Sequence, residues 1–335
     1  MKKHSWFIGS SFLVFLIASV LGATFWWSNN LRPVEGDSSV RLDFVIEKGE
    51  TLSEIAADLR RAGLIKSPLH FKVYTFLTGT AKKIQAGRFS LSPSMSTAEI
   101  SQLLIKGSND QRVTILEGLR QEQIAEQLIK SGFAINPQEW QQTIEAQGLE
   151  GKLFPDTYLF PKSATQDQIL AIIAKNFNKR VVLGLEKEIK ASGLTLDEIL
   201  TLASIVEREA QTETDRQIVA GILLKRLNHQ WPLQADATVQ YALAEAHCKK
   251  AYDAQCDWWP RVLTKNDLAV QSAYNTYARR QLPPTPICNP GLSAIKAVLN
   301  PQKTVYWYYL SDKNGFMHYA QTDEEQAANI QKYLR

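Results

Sequence analysis

The sequence predicts an α+β fold set behind an N-terminal apolar helix. Three observations predict it. An uncharged apolar run lies near the N-terminus, a strand–turn–helix pattern occurs twice at a constant spacing, and the chain beyond residue 166 is mostly helical in texture. At 335 residues, with 44% hydrophobic and 21% charged side chains, the composition is globular and long enough for two or three domains.

No charged side chain occurs from Ser5 to Leu31. Residues 6–27 would span roughly 30 Å as a helix at ~1.5 Å per residue, the thickness of a hydrocarbon core. Trp6, Trp26 and Trp27 stand at its ends, as interfacial aromatics do. Lys2 and Lys3 precede it, so the positive-inside bias puts residues 1–5 in the cytoplasm and the chain after the helix outside. A cleaved signal peptide is the rival reading. The run is long for one, and Leu21-Gly22-Ala23 is a weak cleavage context. Residues 28–41 read as a linker.

The repeat has an offset of 69: Gly49, Ile55, Ala56, Leu59, Gly63 and Pro68 recur as Gly118, Ile124, Ala125, Leu128, Gly132 and Pro137. Each copy opens with a short apolar strand (Phe44–Ile46; Val113–Ile115), turns at glycine and enters a helix closed by glycine. Two related α+β units therefore occupy 42–110 and 111–165. The first carries Gly49-Glu50-Thr51-Leu52-Ser53-Glu54-Ile55-Ala56, which resembles the opening of a LysM module, a small glycan-binding fold. Over so short a stretch, a helix capped by Thr51 or Ser53 accounts for the same residues.

In residues 166–335 helices are expected over Gln166–Ile189, Leu196–Gln211, Asp215–Asn228 and Leu292–Leu299. A strand is expected at Thr304–Leu310, a turn at Asn314-Gly315 and a last helix at Asp323–Arg335. The net charge of +4 is spread without a basic stripe, which argues against nucleic acid. Cys248, Cys256 and Cys288 have no metal-ligand spacing, so no metal is expected. Cys248 and Cys256 could staple the stretch between them in an oxidising compartment, or all three could be unpaired.

Thr195 and Glu198 form a capping-box pattern at the start of the 196–211 helix, whose apolar face holds Leu196, Ile199, Ala203, Val206 and Ala210. Glu207 and Glu209 flank that face. Glu209 lies over Ile205, Val206 and Leu202, whereas Glu207 lies over Ala203 and Ser204. A carboxyl among branched apolar groups is desolvated and its pKa rises, as a general acid near neutrality requires. Both glutamates could equally be solvated rim residues paired with Arg208 or Arg216.

Five ordered segments resemble the endolytic murein transglycosylases, the MltG/YceG-like family. They are Phe154-Pro155-Asp156-Thr157-Tyr158, Ala203-Ser204-Ile205-Val206-Glu207-Arg208-Glu209, Leu233–Tyr241, Ser272–Tyr277 and Leu282–Gly291. Thr285 stands where that family usually has glycine, and the Cys248–Trp259 stretch is an insertion. There Trp258 and Trp259 could stack on sugars or form a satellite core.

The resemblance implies a membrane-anchored lyase with 166–335 as catalytic domain. It would cut the MurNAc–GlcNAc β-1,4 bond of peptidoglycan without water, leaving 1,6-anhydro ends. Glu209 would serve as general acid and then base. Glu207, Gln234, Asp236, Thr238, Tyr241, Tyr274, Asn275 and Thr276 are the candidate groove residues. Asn275 and Thr276 could instead close a turn, and Asp236 could cap a helix starting at Thr238. No cofactor is implied, and no lysine stands out for pyridoxal phosphate. The partners implied are peptidoglycan strands, the cytoplasmic (inner) membrane and peptidoglycan synthases. A tethered glycan receptor without turnover and a hydrolase using Asp236 as second carboxylate are the alternatives.

Overall fold

A computed structural model describes residues 19–36, 38, 40–107, 110–248 and 256–334. Residues 6–18 of the expected apolar span lie outside the described residues, as do Lys2, Lys3 and 249–255 of the insertion. Residues 19–31 form helix α1. Among the described residues no helix is long and apolar enough to cross a membrane. The chain divides into two compact units, Met1–Gln111 and Arg112–Arg335.

In the first unit strand β1 (Leu42–Ile46) pairs antiparallel with β2 (Gly87–Leu91), Phe44 opposite Phe89. Side chains alternate along a strand, so Phe44 and Ile46 are buried while Val45 faces out. Helices α2 (Leu52–Arg61) and α3 (Pro68–Leu77) connect the strands, and α4 (Thr97–Lys106) follows. Ile55, Leu59, Phe71, Ile100 and Leu104 complete the core with the strand residues. Thr51 caps α2 in a capping box with Glu54, while the Glu50 carboxylate accepts the Glu47 N–H. The LysM-like segment thus builds a turn and a cap.

The second copy of the repeat has β3 (Asp110–Ile115), α5 (Gln121–Lys130), α6 (Pro137–Gln147) and β4 (Asp156–Pro161), with β3 paired to β4. Equivalent residues do equivalent work. Gly49 and Gly118 both adopt positive φ, at 90° and 75°, and Pro68 and Pro137 both open helices behind the caps Ser67 and Asn136.

Next come α7 (Gln166–Phe177), a π-turn (Asn178–Val182) and α8 (Glu186–Ser192). The single helix expected over 166–189 is therefore broken. At Gly184 an added Cβ would lie 2.5 Å from the Arg180 carbonyl, so the backbone folds closely on itself there. Helix α9 (Leu196–Glu209) is the centre of the unit, packed by α10 (Glu213–Asn228), α11 (Asp236–Cys248) and α12 (Leu292–Leu299). Residues 199–206 of α9 are all buried, not only the one face expected, because neighbours cover it on several sides.

Strands β5 (Tyr308–Ser311) and β6 (Met317–Ala320) form an antiparallel hairpin, and α13 (Asp323–Tyr333) packs on it. The strand expected from Thr304 starts only at Tyr308. Lys225 Nζ takes the carbonyls of Val305 and Tyr306, and Arg226 takes that of Trp307, so these groups are not free for a ladder. Cys248 and Cys256 form a disulfide and Cys288 is a buried free thiol. Trp258 packs with Ala244, Cys248 and Trp259 in a satellite core.

Candidate active site

Glu209 is the last residue of α9. Ala210 leaves the helix with extended backbone (φ −136°, ψ 141°), so the carboxyl is set at a helix end against the start of α11. Its Oε1 lies 3.5 Å from the Ala237 backbone N–H in the first turn of α11. The carboxyl is pushed up to about 7, first by burial and then by the neighbouring Asp236 charge. The Ala237 N–H, the Tyr309 hydroxyl and Arg208 act in the opposite direction but are outweighed. A group poised near neutrality can give up a proton and take one back.

Asp236 is exposed and accepts from the Tyr277 hydroxyl at 2.5 Å. That tyrosine is raised above its usual range by burial and by this carboxylate. The Tyr309 hydroxyl is buried and has no hydrogen-bond partner among the described residues, and Glu209 is the largest electrostatic influence on it after burial. Buried Arg226 donates to the carbonyls of Trp307 and Leu233. It thereby ties the β5 approach to the loop that carries Gln234 and Asp236. Arg226, Tyr277 and Tyr309 were not among the expected site residues. Tyr277 stood at the end of a motif segment, Arg226 resembled an ordinary last-turn cation, and no pattern marked Tyr309.

Glu207 is placed differently. Its side chain is 5% exposed, pairs with Arg216 at 2.6 Å and accepts the Gly291 N–H at 2.8 Å. Its carboxylate thus ties α9 to α10 and to the Asn289-Pro290-Gly291 loop. Ser204 and Asn289 hold that loop further. Ser204 Oγ accepts the Ile287 N–H, and the Asn289 amide donates to the Leu119 carbonyl and Glu150 while accepting from the Leu153 N–H.

The remaining expected residues divide. Thr238 and Thr276 are buried and bond to each other at 2.9 Å, and Thr276 Oγ1 also accepts the Ala235 N–H. Asn275 is buried, donates to the carbonyls of Leu268 and Val270 and accepts the Tyr277 N–H. These three lock the loops that present Asp236 and Tyr277. Gln234 has an exposed side chain on a left-handed backbone (φ 52°), held by its N–H to the Thr276 carbonyl. Such strain in a residue other than glycine costs of order 1 kcal/mol and persists where surrounding bonds fix it. The Tyr241 and Tyr274 rings meet at a tilt, 4.5 Å apart, and line a separate cavity of about 380 Å³ whose walls do not include Glu209. Among the described residues no group of His, Cys, Asp and Glu converges as a metal site.

These features define a mixed α+β protein in which a carboxyl raised toward neutrality, that of Glu209, is lodged between the end of α9 and the start of α11. The chain belongs to the YceG-like family, whose sequence model matches residues 44–332. It is 32% identical to the endolytic murein transglycosylase of Bacillus subtilis (strain 168), over 94% of this chain and 91% of that one. It is 29% identical to the endolytic murein transglycosylase of Streptococcus pneumoniae serotype 2, over 97% of this chain but 64% of that longer protein. A crystal structure of a YceG-like protein from Listeria monocytogenes superposes with a TM-score of 0.56 at 28% identity, covering 87% of this chain and 99% of that one.

Proposed function

We propose that this protein is a membrane-anchored lytic transglycosylase that cuts peptidoglycan glycan strands internally at the MurNAc–GlcNAc β-1,4 bond. The observation that carries the reading is the Glu209 carboxyl, raised to about 7 in a buried site of a chain whose relatives bear the name endolytic murein transglycosylase. Neutral Glu209 protonates the departing glycosidic oxygen. The carboxylate so formed accepts the proton of the muramyl C6 hydroxyl as that oxygen attacks the anomeric carbon. The 1,6-anhydro ring closes, the glycosidic bond is broken, and Glu209 is again neutral. One carboxylate used twice suffices, because no water has to be activated. The Asp236 carboxylate, held by the Tyr277 hydroxyl and close enough to act on Glu209, stabilises the developing positive charge.

The apolar run 6–27 serves as the anchor, with the N-terminus in the cytoplasm and the rest on the outer face of the membrane. Leu69, Phe76 and Leu77 of α3 are exposed, and Trp26 and Trp27 of α1 pack on His70 of the same helix. An apolar surface beside the anchor suits the membrane interface. Peptidoglycan synthases are the natural partners there.

The test is mass spectrometry of products from uncrosslinked strands incubated with the protein and with Glu209→Gln. Anhydro-ended fragments are expected from the former, with at least a thousandfold less from the variant. Hydrated ends would make it a hydrolase with Asp236 as second carboxylate. Fragments from Glu209→Gln at the unmutated rate would sink the assignment.

A further inference from the structure

Arg208 stands between Glu207 and Glu209 in the last turn of α9, and the chemistry above gives it no task. Its side chain is exposed. Glu207, the nearest carboxylate in sequence, is already held by Arg216 and by the Gly291 N–H. Glu209 accepts from the Ala237 N–H instead. Among the described residues Arg208 makes no hydrogen bond and no ion pair. A guanidinium carries five N–H donors in a planar fork and stays protonated, so a full set of charged donors is left open beside the raised carboxyl.

The side chain is nonetheless held in place. Its guanidinium carbon lies 3.9 Å from the centre of the Trp259 ring. The indole is itself fixed: its Nε1–H donates to Gln123 Oε1 at 3.1 Å and its backbone N–H to Asp257 Oδ1 at 3.1 Å. On another side Gly118 comes so near that an added Cβ would stand 3.4 Å from Arg208 Nη1. Stacking occupies one face of the guanidinium and leaves its N–H edge available. Desolvation lowers the Arg208 pKa, and the Coulombic pull of its neighbours does not restore it. That is the mark of a charge that has lost water without gaining a counter-ion.

We propose that Arg208 binds a carboxylate of the glycan substrate, carried by the muramyl residue beside the bond that Glu209 cuts. The placement rests on the reading of Glu209 as the catalytic acid. Consecutive residues have Cα atoms about 3.8 Å apart, so a strand that presents its glycosidic oxygen to Glu209 passes within reach of Arg208. The two oxygens of a carboxylate match two parallel N–H bonds of the fork. Most exposed arginine pairs are weak because ordering the side chain costs entropy, and stacking on Trp259 removes part of that cost in advance. Peptidoglycan offers the group in two forms: the free carboxylates of a stem peptide, and the lactyl carboxylate of a muramyl residue without its peptide. Arg208 thus distinguishes an acidic amino-sugar strand from a neutral one, which Glu209 alone does not.

The test is equilibrium binding by the full-length protein in detergent micelles, measured in Glu209→Gln so that strands stay intact. Three uncrosslinked strand preparations are compared: peptide-bearing, peptide-free, and peptide-bearing with every carboxylate converted to its amide. A carboxylate-bearing strand is expected to bind about fivefold or more tightly than the amidated one. Tight binding of peptide-bearing strands assigns the stem carboxylates, and tight binding of peptide-free strands alone assigns the lactyl group. Adding Arg208→Gln should abolish the ratio, and Arg208→Lys, which keeps the charge and loses the fork, should retain part of it. Equal binding of all three strands, or an undiminished ratio in the folded variants, would overturn the inference. So would an Arg208→Gln loss of the same size on amidated strands, which would make the residue only an electrostatic neighbour of Glu209. Product analysis with the unmutated protein separates the two ideas. No anhydro fragments with carboxylate discrimination intact counts against the catalytic reading alone, and fragments without discrimination count against this one alone.

Discussion

At the scale of the residue, Glu209 carries a stability cost that follows from its environment. Burial pushes its carboxyl up to about 7 in the folded chain, above the ordinary carboxylate value near 4.5, so the folded state holds the proton more tightly than the unfolded one. Stability is then fully present below the unfolded value and is lost as pH rises to about 7. The difference is up to about 3 kcal/mol at pH 8. Glu209→Gln should therefore raise the melting temperature at pH 8 while leaving it nearly unchanged at pH 4, even as cleavage stops. Equal shifts at both pH values in a calorimetric scan would show that burial does not tax the charge. The same titration sets a rate profile. Cleavage needs the neutral acid at the outset, so it should fall about tenfold per pH unit above pH 7. Tyr309→Phe removes a buried hydroxyl that favours the carboxylate form, so Glu209 should be pushed higher and the falling limb move to higher pH. An unmoved limb would make Tyr309 mere packing.

At the scale of the element, backbone contacts decide more than side-chain patterns do. Gly221 lies inside α10, where alanine ordinarily stabilises a helix by about 0.5–1 kcal/mol. Here an added Cβ would come 2.1 Å from the Gln302 carbonyl, whose residue also donates its N–H to Gln217. The clash outweighs propensity, and Gly221→Ala should destabilise by at least about 2 kcal/mol in denaturant unfolding. A gain in stability would mean that residues 300–304 move aside freely. Local patterns were legible in the sequence, and contacts between distant elements were not. The repeat was legible because Gly49 and Gly118, with Pro68 and Pro137, announce local geometry. Helix α9 was legible from the spacing of its apolar residues, its cap from Thr195 and Glu198, and the rise at Glu209 from its branched apolar neighbours. The engagement of Glu207 was not, because Arg216 and Gly291 reach it from other elements. Nor was the late start of β5, which depends on Lys225 and Arg226 some eighty residues earlier. The internal bonds of Thr238, Asn275 and Thr276 were hidden likewise, since polar residue types that suit a sugar also suit a loop that must satisfy its own backbone.

At the scale of the whole molecule, two copies of one pattern have come to depend differently on the rest of the chain. The first copy has its own core of Phe44, Ile46, Ile55, Leu59, Phe71, Phe89, Ile100 and Leu104, all drawn from the Met1–Gln111 unit. The second borrows. Its core includes Ile169, Leu170 and Ile173 of α7. Gly118 and Leu119 exchange backbone hydrogen bonds with Asn289, and Arg120 donates to the Tyr241 carbonyl. Arg120 is nearly fully buried, with its guanidinium 3.9 Å from the centre of the Tyr241 ring. Cut away from α11 and α7, Arg120 would keep Glu122 but lose its ring and carbonyl partners, and the apolar side chains that Ile169, Leu170 and Ile173 cover would face water. A core of some seventy residues supplies no more than about 3–5 kcal/mol in all. Residues 40–111 expressed alone should therefore unfold in one cooperative thermal transition. Residues 112–165 alone should show none, and should regain it only when the chain is extended through 334. A cooperative transition from 112–165 by itself would mean that its contacts with Tyr241 and Asn289 position the site without stabilising the unit.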